Sequence, residues 1–125
     1  PVKADKIEDH TMHSEWFEID EPIANQLNQA EHITDVGTTS VRVLETCMER
    51  HQQFVSTKTE TDIFIRPGFK FKAADALITN FHLPKSTLLM LVAAYTGFEE
   101  MKKIYQHAID KEYRFYSFGD AMLIL

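Results

Sequence analysis

Three short stretches of this 125-residue sequence gather side chains that can do chemistry. In His10-Thr11-Met12-His13-Ser14-Glu15, two imidazoles stand three residues apart, with Asp9 and Glu15 beside them. Imidazole titrates near neutrality, so His13 with Glu15 could move protons, and His10 with His13 could hold a metal. A plain polar segment with two hydrogen-bonding imidazoles is the competing reading. In Gly37-Thr38-Thr39-Ser40-Val41-Arg42, a glycine precedes three hydroxyls and a fixed cation. A helix starting there offers unpaired N–H groups and a positive dipole end to a phosphate or carboxylate. Alternatively the hydroxyls only cap the helix. The stretch is not a Walker A loop, because it lacks the Gly-Lys-Ser/Thr ending. In Thr79-Asn80-Phe81-His82-Leu83-Pro84-Lys85-Ser86-Thr87, Asn80 and His82 share a face if the backbone is extended. Pro84 stiffens the approach to a helix, and Lys85 and Ser86 stand at its start, a second place for an anion.

These stretches need elements to hold them. Trp16-Phe17-Glu18-Ile19 reads as a strand, stopped at Asp20-Glu21-Pro22, which starts a helix carrying Ile23, Leu27 and Ala30 to about Glu31. Residues 32–37 read as a short, mostly buried strand, and Val41, Leu44, Cys47 and Met48 follow at helical spacing over 40–50. Strand, glycine turn and helix make the unit of an α/β sheet. Residues 52–61 read as a polar loop, 62–65 as a strand, 66–69 as a turn, and the alternating Phe69-Lys70-Phe71 as a further short strand. After 76–79, an apolar helix over 88–95 is expected in the core and an amphipathic one over 98–108, with Gly97 between them. Residues 113–117 and 120–124 read as terminal strands. The fold class is α/β, with four or five strands and three or four helices.

Composition narrows the function. With 44% hydrophobic and 26% charged residues and only four Gly and four Pro, the chain is globular. No apolar run reaches the ~20 residues that span a bilayer, and no secretory signal is visible, so the cytoplasm is the expected location. Cys47 has no second cysteine to pair with and reads as a buried thiol. The net charge of −6 argues against nucleic acid until it is divided. Residues 1–60 carry 5 Lys/Arg against 12 Asp/Glu, and residues 61–125 carry 8 against 7. The second half, with Arg66, Lys70, Lys72 and Lys85, could offer a phosphate-binding edge or simply a solvated face.

In order, PVKADKIEDHTMHSEWFEI, VGTTSVRVLE, TDIFIRPGFKFKAADALITNFHLPKSTLLMLVAAYTG and YRFYSFGDAMLI cover nearly the whole chain. Together they resemble the C-terminal part of the S-adenosylmethionine:tRNA ribosyltransferase-isomerase family of queuosine biosynthesis. NFHLPKSTLLMLV and GTTSVR are long and unusual enough to make the resemblance specific. It implies that residues 1–125 are the C-terminal part of a larger α/β catalytic domain, a layered sheet with flanking helices. The chain is then a fragment, without the β-barrel domain of the family and without activity alone.

The implied reaction moves the ribosyl part of S-adenosylmethionine onto 7-aminomethyl-7-deazaguanine at the tRNA wobble position. The ribosyl is rearranged to give epoxyqueuosine, and adenine and methionine are released. S-adenosylmethionine is then a consumed substrate; no metal or other cofactor, no membrane partner and a monomer are expected. The chemistry needs proton transfer, because a sulfonium acidifies the neighbouring ribose carbon and adenine leaves with a proton. His13, Glu15 and His82 are the candidates for it. Asn80, Thr38 and Thr39 suit ribose hydroxyls, and Ser40, Arg42, Lys85 and Ser86 suit a carboxylate or phosphate. Three features depart from the family pattern: Asp35, where a small apolar residue is usual; Glu31-His32-Ile33, without the nearby Gly; and Arg66, where an aromatic is frequent. The competing reading is a non-catalytic α/β module that binds an anion, a nucleotide or RNA.

Overall fold

The computed structural model describes residues 13–81, 87–114 and 120–125. Nine elements follow one another in them: β1 (Glu15–Ile19), α1 (Glu21–Gln29), β2 (Thr34–Val36), α2 (Thr38–His51), β3 (Thr57–Thr61), β4 (Ala76–Asn80), α3 (Thr87–Thr96), α4 (Phe98–Asp110) and β5 (Ala121–Ile124). The α/β class is as expected from the sequence.

The strands form two sheets. β1 and β3 make an antiparallel ribbon in which Glu15 faces Thr61, Phe17 faces Thr59 and Ile19 faces Thr57. β2, β4 and β5 make a second sheet in that order, with β2 parallel and β5 antiparallel to β4. β3 lies where a polar loop is expected. Its Thr-Lys-Thr-Glu-Thr sequence lacks any large apolar residue, but its period of two is intact: Lys58 and Glu60 face solvent while Thr61 is buried. The apolar surface comes from Phe17 and Ile19 across the ribbon. Conversely, 62–65 joins no ladder, although Ile65 is buried, and 69–71 is no strand. There the Phe71 ring packs edge-on against both Phe69 and Tyr95.

α1 starts at Asp20, whose Oδ1 accepts a hydrogen bond from the Ile23 N–H at 3.0 Å, with Pro22 in the first turn. It ends at Gln29, two residues before the expected Glu31. α3 is apolar all round because it is packed on two sides. Leu91 joins Val41, Ile65 and Leu77 in one cluster, while Val92 and Ala93 join Phe81, Met101, Tyr105 and Ala108 of a second. A third cluster, Ile19, Ala24, Cys47, Phe54 and Ala73, lies beneath α1 and α2. Cys47 is buried, as expected, with its Sγ 3.4 Å from the Gln53 carbonyl oxygen. The expected strand over 113–117 falls largely outside the described residues.

Candidate functional site

The parallel β2–β4 pair decides which motifs meet. Val36 is registered with Ile78, and the Gly37 N–H donates to the Ile78 carbonyl at 2.7 Å. The Gly37–Ser40 turn and Thr79–Asn80 therefore emerge side by side at the carboxyl ends of two parallel strands. In open α/β sheets that edge is where ligands bind. Gly37 itself is the N-cap of α2, at φ 88 and ψ 150, and no side chain caps it. The expected hydroxyl cap is thus not formed: Thr38, Thr39 and Ser40 lie one step further in, within the first turn. Thr38 is buried, Ser40 half-buried and Thr39 exposed, and Asn80 is half-buried on the strand beside them.

One turn into α2, Arg42 is 3% exposed. Its Nε donates to the Ile63 carbonyl at 3.1 Å, Nη1 to Glu15 Oε2 at 2.5 Å, and Nη2 to the His13 carbonyl at 3.0 Å. Strand alternation explains the meeting, because Glu15 shares the inward face of β1 with Phe17 and Ile19. A ring of bonds braces the same place. The Ile63 N–H donates to Thr61 Oγ1 at 3.1 Å, and the two hydroxyls of Thr61 and Thr46 are 2.7 Å apart. Thr46 in turn donates to the Arg42 carbonyl at 2.6 Å. Since the one Thr46 proton is committed there, Thr61 donates to Thr46. His13 and Glu15 are thereby held against α2, whereas Arg42, expected to take a substrate anion, has protein acceptors on three of its donor directions.

Beneath this edge lies an acidic group that the motifs did not announce. Asp35 is 2% exposed, and neither carboxylate oxygen has a hydrogen-bond partner. Burial, then the nearby charges of Glu45 and Asp75, push its carboxyl from 3.8 up to about 7. Glu45, also buried, accepts from the Lys72 and Ala73 N–H groups at 2.8–3.1 Å and so ties the chain before β4 to α2. Burial raises its pKa as well, against the lowering effect of those bonds. The available signal was a carboxylate at the middle of the short strand that ends at Gly37.

His82, Lys85 and Ser86 lie outside the described residues, as does His10. Among the described residues, no three His, Cys, Asp or Glu side chains are gathered as metal ligands would be. Arg66, Lys70 and Lys72 are exposed, the Arg66 guanidinium lying 5.8 Å from the Phe64 ring centre. No helix of the described residues is long and apolar enough to cross a membrane.

The family described as "Queuosine biosynthesis protein" matches residues 1–124. The chain belongs to that family. Within the queuosine biosynthesis family, it is 55% identical over its whole length to the S-adenosylmethionine:tRNA ribosyltransferase-isomerase of Staphylococcus saprophyticus. It is 53% identical to the protein of the same name from Staphylococcus epidermidis. In both cases it spans 38% of the relative. A crystal structure of S-adenosylmethionine tRNA ribosyltransferase from Thermotoga maritima superposes with a TM-score of 0.82 at 46% identity. That match covers 88% of this chain and 40% of the Thermotoga chain.

Proposed function

We propose that this segment is the C-terminal part of the α/β catalytic domain of a tRNA-modifying transferase-isomerase. The enzyme transfers the ribosyl moiety of S-adenosylmethionine to 7-aminomethyl-7-deazaguanine at the tRNA wobble position and isomerises it. The products are epoxyqueuosine in the tRNA, adenine and methionine. S-adenosylmethionine is a substrate consumed in the reaction, and the cytoplasm, where tRNA is found, is the place of action. The names of the relatives support the two substrates. The observation that carries the reading is the meeting of Gly37–Ser40 with Asn80 at the carboxyl ends of β2 and β4.

The chemistry assigns work to these groups. A sulfonium makes the adjacent ribose carbon acidic, so a base starts the reaction, and adenine needs a proton as it leaves. His13 and Glu15, fixed on the β1 side of α2, and His82, two residues beyond Asn80, are the proton carriers. Asn80, Thr38 and Thr39 hold ribose hydroxyls. The first N–H groups of α2, with Ser40, and Lys85 with Ser86 receive the methionine carboxylate or a tRNA phosphate. The exposed Arg66, Lys70 and Lys72 face the tRNA backbone, the attraction that an overall acidic protein must localise.

The test uses a polypeptide of the relatives' full length that carries this segment. Incubated with S-adenosylmethionine and tRNA bearing the deazaguanine, it is expected to release adenine in proportion to tRNA modified. His82→Ala is expected to lower that rate by about 100-fold or more, the scale of a lost proton-transfer group. Binding of tRNA with no adenine release would leave the anion-binding module as the better account.

A further inference from the structure

We infer that Arg42 is a positioning residue, which acts on the reaction by fixing the His13–Glu15 segment to α2 and takes no substrate anion itself. The inference rests on the proposed transferase reading and departs from the simpler expectation for an arginine beside a helix N-terminus. Two observations carry it. The first is burial: at 3% exposure the guanidinium is closed off from solvent. The second is where its donors go. Ile63 lies beyond β3, while His13 and Glu15 lie at the entry to β1, so one planar group joins three points of the chain. A guanidinium donates in a fixed fork, so its three acceptors must lie close to one plane to be met together. That requirement fixes both the His13 backbone and the Glu15 carboxylate.

The Thr46–Thr61 pair makes the anchor stiff. It closes a ring from the Arg42 carbonyl through both hydroxyls to the Ile63 N–H, and the Ile63 carbonyl returns to Arg42 Nε. Arg42 also stands four residues after Thr38, on the same side of α2. Any shift of the His13–Glu15 segment is therefore a shift relative to the turn that would bind the ribose. Displacement of a reacting group by about 1 Å can cost about 100-fold in rate without changing substrate binding. An anion-binding arginine predicts the reverse, weaker binding of S-adenosylmethionine.

The deciding variant is Arg42→Lys in the full-length enzyme, which keeps the charge but cannot bridge three acceptors in a plane. We expect kcat for adenine release to fall about 100-fold, with KM for S-adenosylmethionine within threefold of the unaltered enzyme. We expect millimolar guanidinium to restore part of kcat in Arg42→Ala, again without moving KM. A rise in KM of tenfold or more at near-normal kcat overturns the inference, because it marks direct contact with substrate. So does near-normal turnover with both constants unchanged. If Arg42→Lys does not fold, Arg42→Met combined with Glu15→Gln removes both charges of the pair. Its equilibrium affinity for S-adenosylmethionine is then the measurement: within threefold of normal supports positioning, and tenfold weaker overturns it. Absence of adenine release from the unaltered enzyme is a separate result, which removes the transferase reading and this inference with it.

Discussion

Asp35 shows how one side chain can set the pH response of the fold. Its carboxyl has no hydrogen-bond partner and faces Glu45 and Asp75, so the neutral form is favoured when the chain is folded. In the unfolded chain it titrates near 3.8, and in the folded chain at about 7. The folded state therefore binds the proton more tightly. The stability this confers is complete below about pH 4, falls as pH rises, and is gone above about pH 7. At about 1.4 kcal/mol per pH unit between the two values, the loss is at most about 4 kcal/mol. Asp35→Asn keeps the shape without a charge and is expected to be more stable than the parent at pH 8 but little changed at about pH 4. Urea denaturation at the two pH values measures this. Glu45 contributes a slope of the same sign, so the variant reduces the dependence without abolishing it. An unchanged slope in Asp35→Asn would show that Asp35 is already charged and partnered.

At the scale of elements, the start of α2 depends on Gly37 having no side chain. Its φ of 88 with ψ 150 is a region that L side chains avoid, although no atom lies within 4 Å of where a Cβ would stand. Gly37→Ala therefore meets backbone strain without any clash. A loss of about 1–3 kcal/mol is expected, read as a lower melting temperature, with the amides of Thr38 to Ser40 exchanging faster. Parent-like stability would mean that the turn relaxes to another conformation. The strands teach a related lesson. An apolar run predicted β1, but β3 is threonine and charge. It exists because β1 brings Phe17 and Ile19 to the shared face, and Thr61 finds the Thr46 hydroxyl there. A local reading of 62–65 as a strand was drawn by Ile63, Phe64 and Ile65. The Ile63 N–H and carbonyl go instead to Thr61 and Arg42.

Across the whole molecule, one face of the three-stranded sheet is buried, and the other is open along its edge strands β2 and β5 while Ala76 and Ile78 of central β4 are covered or half-covered. Asp35, Leu77 and Ile124 lie in one row on the inner face. Val36, Ile78 and Leu123 form the outer row, Val36 being 64% and Leu123 58% exposed. All-parallel sheets are covered on both faces, and antiparallel ones commonly keep one face in water; this mixed sheet has a parallel β2–β4 pair and an antiparallel β5. The chain spans 38% of the length of its curated relatives, and alone it leaves Val36 and Leu123, the two ends of this row, exposed. The 125-residue chain is therefore expected to self-associate and to bind a hydrophobic dye. Val36→Thr with Leu123→Thr should weaken both, while costing less than about 1 kcal/mol because the positions are exposed. Analytical ultracentrifugation and dye titration measure the two effects. Equal association in the double variant would place the sticky surface elsewhere, such as at Phe98 and Ile109 of α4, which are 52% and 59% exposed.

By themselves, the residues determined the α/β class, the start of α1 at Asp20-Glu21-Pro22, the apolar α3 and the amphipathic α4, because these follow from periodicity and end signals within a few turns. They also determined the family, through motifs long enough to be specific. Tertiary structure decided what those motifs touch. That Gly37–Ser40 lies beside Asn80 follows from a parallel pairing of strands more than forty residues apart, which no local rule encodes. That Arg42 grips His13 and Glu15 follows from which face of β1 turns inward. That the Asp35 carboxyl is pushed up to about 7 follows from its burial beside Glu45 of α2 and Asp75 before β4. In each case a side chain's type fixed what it could do, and the burial and partners supplied by distant segments fixed which of those things it does.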